Sequence, residues 1–435
     1  MSEQRDRDID GFFSSDRVAG RGDAVTLTDE SYRSFLFDVD DPHLAEWRGQ
    51  VWREFAARRT DHPFVQELLA DWRALYDEPF RGVTSDGSVQ DVWDLGDVGE
   101  AEEPALVEAA EGALAALSPA ERERATYSLD APEWRAWSNP EFVIHEVGIR
   151  LEDLGDETVR AILRLVEQSL SPEGYARVTE AMNLNGFLGE LTDLPMVMNN
   201  RSYFFAVYGD PSTGAPWGWQ LFGHHVALHF VMIGGRHVVA PCFLGAEPAL
   251  TGGERAPIFD HRERLALALA ASLTRSQRTE AIVYDSVLDP RMPEGRLHPA
   301  DERHVAGAFR DNRVIPYEGI RATDLHDAQR GLLRDIVADF HLLLREDQRR
   351  LALAEFDAHI DDTWFSWYGA ADGSQPVYFR VQSPVIVAEL DNHAGVWLSN
   401  TEPARFHVHT TLRLPNGNDY GHALRRQWAL THSDD

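Results

Sequence analysis

Lysine is missing from the 435-residue chain, and all 41 of its basic residues are arginine. Schiff-base catalysis, whether with a pyridoxal cofactor or an aldolase substrate, needs an amine that arginine cannot replace, and so does the lysine-bearing phosphate loop. Cysteine is almost missing. The single thiol, Cys242, rules out an internal disulfide and any multi-cysteine zinc or iron–sulfur site. Its place in the apolar run HVVAPCFLG reads as a buried structural thiol rather than a nucleophile. Basic charge is also scarce: 72 acidic residues against 41 basic ones leave a net charge of −31. Such a chain repels nucleic-acid backbones and anionic membranes, so neither is expected as a partner. No apolar stretch approaches the roughly 18 residues that span a bilayer, and the opening MSEQRDRDIDGFF lacks the apolar centre of a secretion signal. A soluble protein of the reducing cytoplasm is expected. Gly-x-Ser-x-Gly does not occur, so a serine triad has no local support, and no flavin, haem or nicotinamide motif is visible.

What is present supports a sizeable core, with 43% apolar residues and 12 tryptophans. Residues 1–27 are polar and without hydrophobic period, and read as a mobile tail. From 28 to 200 the signals are helical. Asp41-Pro42 starts a stripe of Leu44, Trp47, Val51, Trp52 and Phe55, and Pro63 starts another with Phe64, Leu68, Trp72 and Leu75. Ser118-Pro-Ala-Glu121 has capping-box spacing, Asp156 is placed to cap a helix, and Ser171-Pro172 opens the next. From 201 to 435 the reading is mixed. Runs rich in Val, Phe, Tyr and His at 202–208, 219–233 and 237–243 predict strands, with Gly234-Gly235 as a two-residue hairpin. Helices are predicted at 261–274 and 324–358, and further strands at 363–368, 377–382, 385–390 and 406–414. Adjacent β segments in runs predict an α+β fold: a helical N-terminal region packed on a largely antiparallel sheet with additional helices. The pattern leaves open whether 28–200 and 201–435 form one continuous domain, and no internal repeat is apparent.

Two histidine clusters stand out. In Gly223-His-His-Val-Ala-Leu-His229, read as one strand, His225 and His229 share a face and His224 takes the other. In Phe406-His-Val-His409, His407 and His409 project the same way, roughly 7 Å apart, close enough to meet on one metal ion. One histidine of the first cluster and a carboxylate would complete a three-histidine, one-carboxylate shell. Glu247, in FLGAEP, is the nearest strand-end carboxylate. Such a shell suits zinc, iron, manganese or nickel. The aromatics around Trp219 and Gln220 offer a wall for a ligand. Arg413, two steps along the face from 409 through 411, is placed to grip a substrate anion. The turn-rich tract LPNGNDYG after the second cluster would hang over a site there, which points to Asn416, Asn418 and Asp419 as substrate contacts. Asp301-Glu302-Arg303-His304 reads as a solvated helix face.

Seven segments carry a resemblance: PFRGVTSDGSVQ (79–90), DAPEWRAWSNPE (130–141), LNGFLGEL (184–191), PWGWQLFGHH (216–225), FLGAEPA (243–249), HVAGAFRDNRVIPYEGIR (304–321) and FHVHTTLRLPNGNDYG (406–421). In that order they resemble the bacterial and fungal proteins of domain-of-unknown-function family 3500, over about residues 45–430. The resemblance implies no activity. It does imply that His224, His225, Glu247, His407 and His409 stand at recurring motif positions, whereas His229 departs from the asparagine usual there and drops out as a ligand. The expectation is a metal-dependent enzyme of the hydrolase or lyase type, acting on a small polar molecule. His407, His409 and one of His224 or His225 would be ligands, Glu247 a ligand or general base, and zinc, iron or manganese the cofactor. With ferrous iron the same ligands suit an oxygenase or oxidase, and without metal they would line the pocket of a binding protein.

Overall fold

The computed structural model describes residues 31–38, 40–96, 104–141, 145–212, 214–252, 256–298 and 300–432. The polar segment 1–27 lies outside them. Twelve strands join one sheet: β1 (Thr126–Tyr127), β2 (Ile149–Arg150), β3 (Tyr203–Tyr208), β4 (Trp217–Gly223), β5 (Val226–Ile233), β6 (Arg236–Ala246), β7 (Ile282–Tyr284), β8 (Ile320–Arg321), β9 (Trp364–Tyr368), β10 (Tyr378–Ser383), β11 (Ile386–Asn392) and β12 (Val408–Arg413). Their order is β1-β3-β4-β5-β6-β12-β11-β10-β9-β7, with β2 also on β3 and β8 also on β9. Only β1–β3 and β7–β9 run parallel, so the α+β class with a largely antiparallel sheet holds.

The sheet is built twice. The first half runs through helices Pro104–Ala115 and Pro119–Ala125, then β1, β2, helices Asp156–Ser169 and Pro172–Leu191, and the meander β3–β6. The second half repeats that order: helices Asp260–Ser272 and Arg275–Ala281, then β7, β8, helices Asp327–Phe340 and Glu346–Ala358, and the meander β9–β12. The halves meet antiparallel along β6 and β12. One cross-strand row makes the relation explicit. Leu228 faces Cys242, Cys242 faces Leu412 and Leu412 faces Ala388, so a pseudo-twofold axis passes between Cys242 and Leu412. The triplet Gly-Ile-Arg opens β2 at 148–150 and β8 at 319–321. In both copies the glycine has positive φ and no room for a Cβ, which would meet the carbonyl of Phe205 or Phe365. The repeat, not apparent from composition or periodicity, is carried in the sequence by Gly-Ile-Arg-x-x-Asp-Leu-x-Asp at 148–156 and 319–327 and by a Tyr-Gly at the ends of β3 and β9.

Alternation along the strands sends two kinds of side chain to two faces. One face is apolar. Leu228, Cys242, Leu412 and Ala388 pack there with the long helices of both halves. Cys242 is buried, as expected, and burial pushes its thiol up to about 12. The other face carries His229, Glu389, Asp391, His409 and Arg413, and is covered by helices Trp52–Thr60, Pro63–Asp77 and His422–Thr431 with their aromatic residues. Both apolar clusters draw residues from before and after position 200.

Several local expectations hold. The Ser118 capping box forms both of its bonds, Ser171 caps its helix on the Gly174 amide, and Gly234-Gly235 closes β5 onto β6 with two positive φ angles. Others need correction. The stripe from Leu44 to Phe55 is two helices, Pro42–Ala45 and Trp52–Thr60, separated by a turn in which Gly49 takes positive φ. The predicted helix 324–358 breaks at a 3-10 turn, His341–Leu343. The run 219–233 is two strands: Gly223 pairs with Val226, leaving His224-His225 as a tight turn with His225 at φ 64°. Histidine tolerates that left-handed conformation better than most residues, and the turn removes the face-sharing expected of His225 and His229.

Candidate metal centre

The turn between β4 and β5 and the start of β12 come from different halves, yet they converge across the β6–β12 seam. His225 Nε2 lies 3.2 Å from His409 Nε2, which lies 3.1 Å from His407 Nε2. The three rings are buried at one point on the polar face of the sheet. Gly245 makes the approach possible. It faces His409 in the ladder and donates its N–H to the His225 carbonyl at 2.8 Å. A Cβ on Gly245 would come within 2.7 Å of the His409 ring and 2.9 Å of the His225 ring.

Burial holds all three imidazoles well below the usual histidine range, with the neighbouring histidines adding to the shift, so they are neutral and able to ligate. His407 Nδ1 donates to the Ala394 carbonyl at 2.6 Å, which fixes the tautomer and leaves Nε2 as a lone pair. A proton on His409 Nε2 can serve only one neighbour at a time. A cation at the meeting point would satisfy all three lone pairs together. Tetrahedral zinc with bonds of about 2.0–2.1 Å spaces its nitrogens about 3.3 Å apart, close to the spacing seen here.

The group forms part of the wall of a cavity of about 360 Å³. Phe64, Leu68, Leu288, Leu297 and Val396 give it an apolar side, while Arg59, Glu141, Glu302 and His393 bring polar groups. Arg59 pairs with Glu141 at 3.7 Å. Burial raises the Glu141 carboxyl, against the pull of that arginine.

A family model described as a protein of unknown function (DUF3500) matches residues 100–422. The chain belongs to that family. No curated protein and no solved structure shows a match to it. Six of the seven segments that carry the DUF3500 resemblance lie inside the matched span, and 79–90 precedes it.

The other expected site residues are placed elsewhere. His224 lines the cavity but turns its Nδ1 to Asn185 at 2.8 Å and stacks on His225, with ring centroids 3.8 Å apart. Burial lowers it to about 3. Glu247 does not join the three imidazoles. Its Oε1 accepts the backbone N–H groups of Val396, Trp397 and Leu398 at 2.9–3.0 Å, and it lies 3.8 Å from His407 Nδ1. It anchors the segment that orients His407, and burial pushes its carboxyl up to about 7 against those three bonds. Arg413 is wholly buried and engaged by Asp311, Asp419 and the carbonyls of Ala306 and Gly307, so it is closed to substrate.

The tract after β12 does not cover the histidines, because they sit at the opposite end of that strand. Asp419 binds Arg413 and the Leu414 amide, Asn416 bridges Gln90 and Pro384, and Asn418 caps Leu424. Trp219 faces the helical core, stacked on Phe230 and donating to Ser169. Gln220 bonds Tyr208, His229 and the Trp134 carbonyl. In a strand, parity assigns a face but not a position along it, and these residues had been placed by nearness in sequence.

His304, Asp391, His393, Arg59 and Glu141 were missed. The run 301–304 is not a solvated helix: Arg303 and His304 are buried. Both His304 and Glu141 fall within quoted family segments, and Asp391-Asn-His393 repeats the alternate spacing of the 407–409 pair. That spacing was the available signal. Burial would lower His393, but the carboxylates of Glu302 and Asp391 outweigh it and hold it above the usual value.

Proposed function

We propose that the protein is a metal-dependent enzyme of the hydrolase or lyase type, acting on a small molecule that fits the 360 Å³ cavity. The observation that carries this reading is the convergence of three neutral imidazole nitrogens, within 3.1–3.2 Å of one another along the chain of contacts, where they border that cavity. Cavities of about 300–1,000 Å³ are the usual size for small-molecule sites. A divalent ion with three protein ligands keeps a position for water or a substrate oxygen, and so acidifies water or polarises a carbonyl. His225, His407 and His409 hold the ion. Glu247 keeps His407 aimed through the segment it anchors, and Gly245 keeps the rings together. Glu302 lines the cavity 3.5 Å from His393, with its oxygens engaged by Arg303 and the Ala394 N–H. The apolar side favours a substrate with a compact apolar body and one polar end. The Arg59–Glu141 pair offers that end a complementary charge or hydrogen bond.

The test is elemental analysis of protein prepared anaerobically with zinc, iron and manganese supplied, beside a His407→Ala/His409→Ala variant. Stoichiometric metal in the first and none in the second, with a retained fold, is the expected result. Absence of any divalent ion from the wild type would overturn the reading in favour of a metal-free binding pocket. Iron together with dioxygen uptake would move the chemistry to the oxidative alternative.

A further inference from the structure

A second set of donors stands beside the first. His304 descends onto the sheet from the segment over it, Asp391 lies on β11 and His393 just past that strand's end. One ligand atom from each lies within 4.8 Å of the other two, and all three side chains are buried. The two sets are tied through the backbone. Asp391 faces His409 in the β11–β12 ladder, the His393 N–H donates to the His407 carbonyl at 2.8 Å, and the rings of His393 and His409 have centroids 3.9 Å apart.

The orientation of these donors is unusual for a structural cluster. His304 Nδ1 is bound to Thr411 Oγ1 at 2.8 Å, and its Nε2 is buried with no hydrogen-bond partner. A buried polar atom left unsatisfied keeps its desolvation cost with nothing to offset it, so a ligand from outside the chain that meets it is favoured. Asp391 is held from one side. Arg303 Nε donates to its Oδ1 at 2.6 Å and the Arg303 backbone N–H to its Oδ2 at 3.2 Å, while Oδ2 also lies 3.1 Å from His393 Nε2. Arg303 thus holds both carboxylate oxygens, one through its guanidinium and the other through its backbone N–H, while Oδ2 also faces an imidazole, which orients the carboxylate in the way outer-shell partners of metal sites do. A purely structural Arg303–Asp391–His393 ion pair would account for the carboxylate but would leave His304 Nε2 unexplained.

We propose that His304, Asp391 and His393 hold a second divalent transition-metal ion next to the ion on His225, His407 and His409, so that the cavity wall carries a two-metal centre. This inference rests on the reading of the first site. Two imidazoles and one carboxylate suit zinc, iron or manganese. Neighbouring ions let one bind the substrate's electron-rich atom while the other holds the attacking water, which fits hydrolytic chemistry.

Protein stripped with a chelator and reloaded with zinc or cobalt(II) is assayed for metal per chain, with circular dichroism and melting temperature as fold controls. Two ions per wild-type chain are expected, falling to one in His304→Ala and in Asp391→Asn. His304→Gln serves if Asp391→Asn unfolds because Arg303 loses its partner. A single ion in the wild type overturns the second site and leaves the first standing. Two ions retained in both His304 variants also overturn it, since the second ion would then lie elsewhere. No ion at all overturns both readings.

Discussion

The two halves of the sheet offer the same positions and fill them differently. Counting from the paired turns, His225 corresponds to Val385, because Gly223–Val226 and Ser383–Ile386 close equivalent hairpins. Asp391 and His409 face each other in the second half, where Val231 and Val238 do so in the first. His393 and His407 correspond to Ile233 and Arg236, the pair that closes β5 onto β6. The mirror position therefore brings together Val385, Val238 and Arg236, and Arg236 is paired with Glu355. A cavity of only about 20 Å³ remains there. One backbone plan thus yields an open, histidine-walled pocket at one end of the seam and a closely packed joint at the other. The fold supplies the address, and a handful of side chains decide whether anything can bind there.

The sharpest way to break this contrast is to treat both ends alike. His407→Ala with His409→Ala should abolish metal uptake and turnover, whereas Val238→Ala with Val385→Ala should leave both intact and cost about 1–3 kcal/mol of stability by cavity formation. Metal analysis and urea unfolding of the two double variants decide it. Arg413→Met should cost about 3–5 kcal/mol, because Asp419 is left buried beside a neutral side chain and Asp311 keeps Arg135 alone. Its metal content, if the fold survives, should match the wild type. Glu247→Ala strands three backbone N–H groups and should cost about 3 kcal/mol in denaturant titration, while Glu247→Gln keeps an accepting oxygen and the metal. Gly245→Ala should weaken metal binding about 10–100-fold, read by chelator competition, because it forces the His225 and His409 rings apart.

The smallest effect concerns pH. Burial depresses His229 to about 3. Below about pH 6.5 the unfolded chain takes up a proton that the folded chain refuses, so this residue's contribution to stability is constant above that pH and is lost as pH falls toward 3. His229→Asn should reduce the acid slope of stability by about 1.4 kcal/mol per pH unit within that window. An unchanged slope would place the acid sensitivity elsewhere.

Much of the fold was legible because local rules agree with it. Proline and serine caps marked helices at 63, 118 and 171, and Gly234-Gly235 marked its hairpin. The 224–225 turn was not legible, since neither of its two central residues is glycine, proline, asparagine or aspartate and the flanking residues read as if the strand continued. The pairing of His407 with His409 was legible in their alternate spacing on a strand, whereas the choice between His224 and His225 as their neighbour was left open and is made by the turn. Glu247 was singled out as the nearest strand-end carboxylate and Arg413 by its place on the strand face of His409, but both charges are spent inside the protein. His304 and Asp391 escaped notice because charged neighbours made one look solvated, and a strand interior made the other look incidental.

The seam between β6 and β12 also bears on how the molecule is made. Within each half the strands follow one another as meanders, so their pairings form between near neighbours in the chain. The Cys242–Leu412 pairing joins residues far apart in sequence, and contacts of such separation form slowly because a long loop must close first. His225 waits on one bank of that seam and His407 and His409 on the other. A chain emerging from the ribosome would thus display no assembled metal centre until its last strand has docked, and an ion bound there would act as a clasp, slowing the halves from parting.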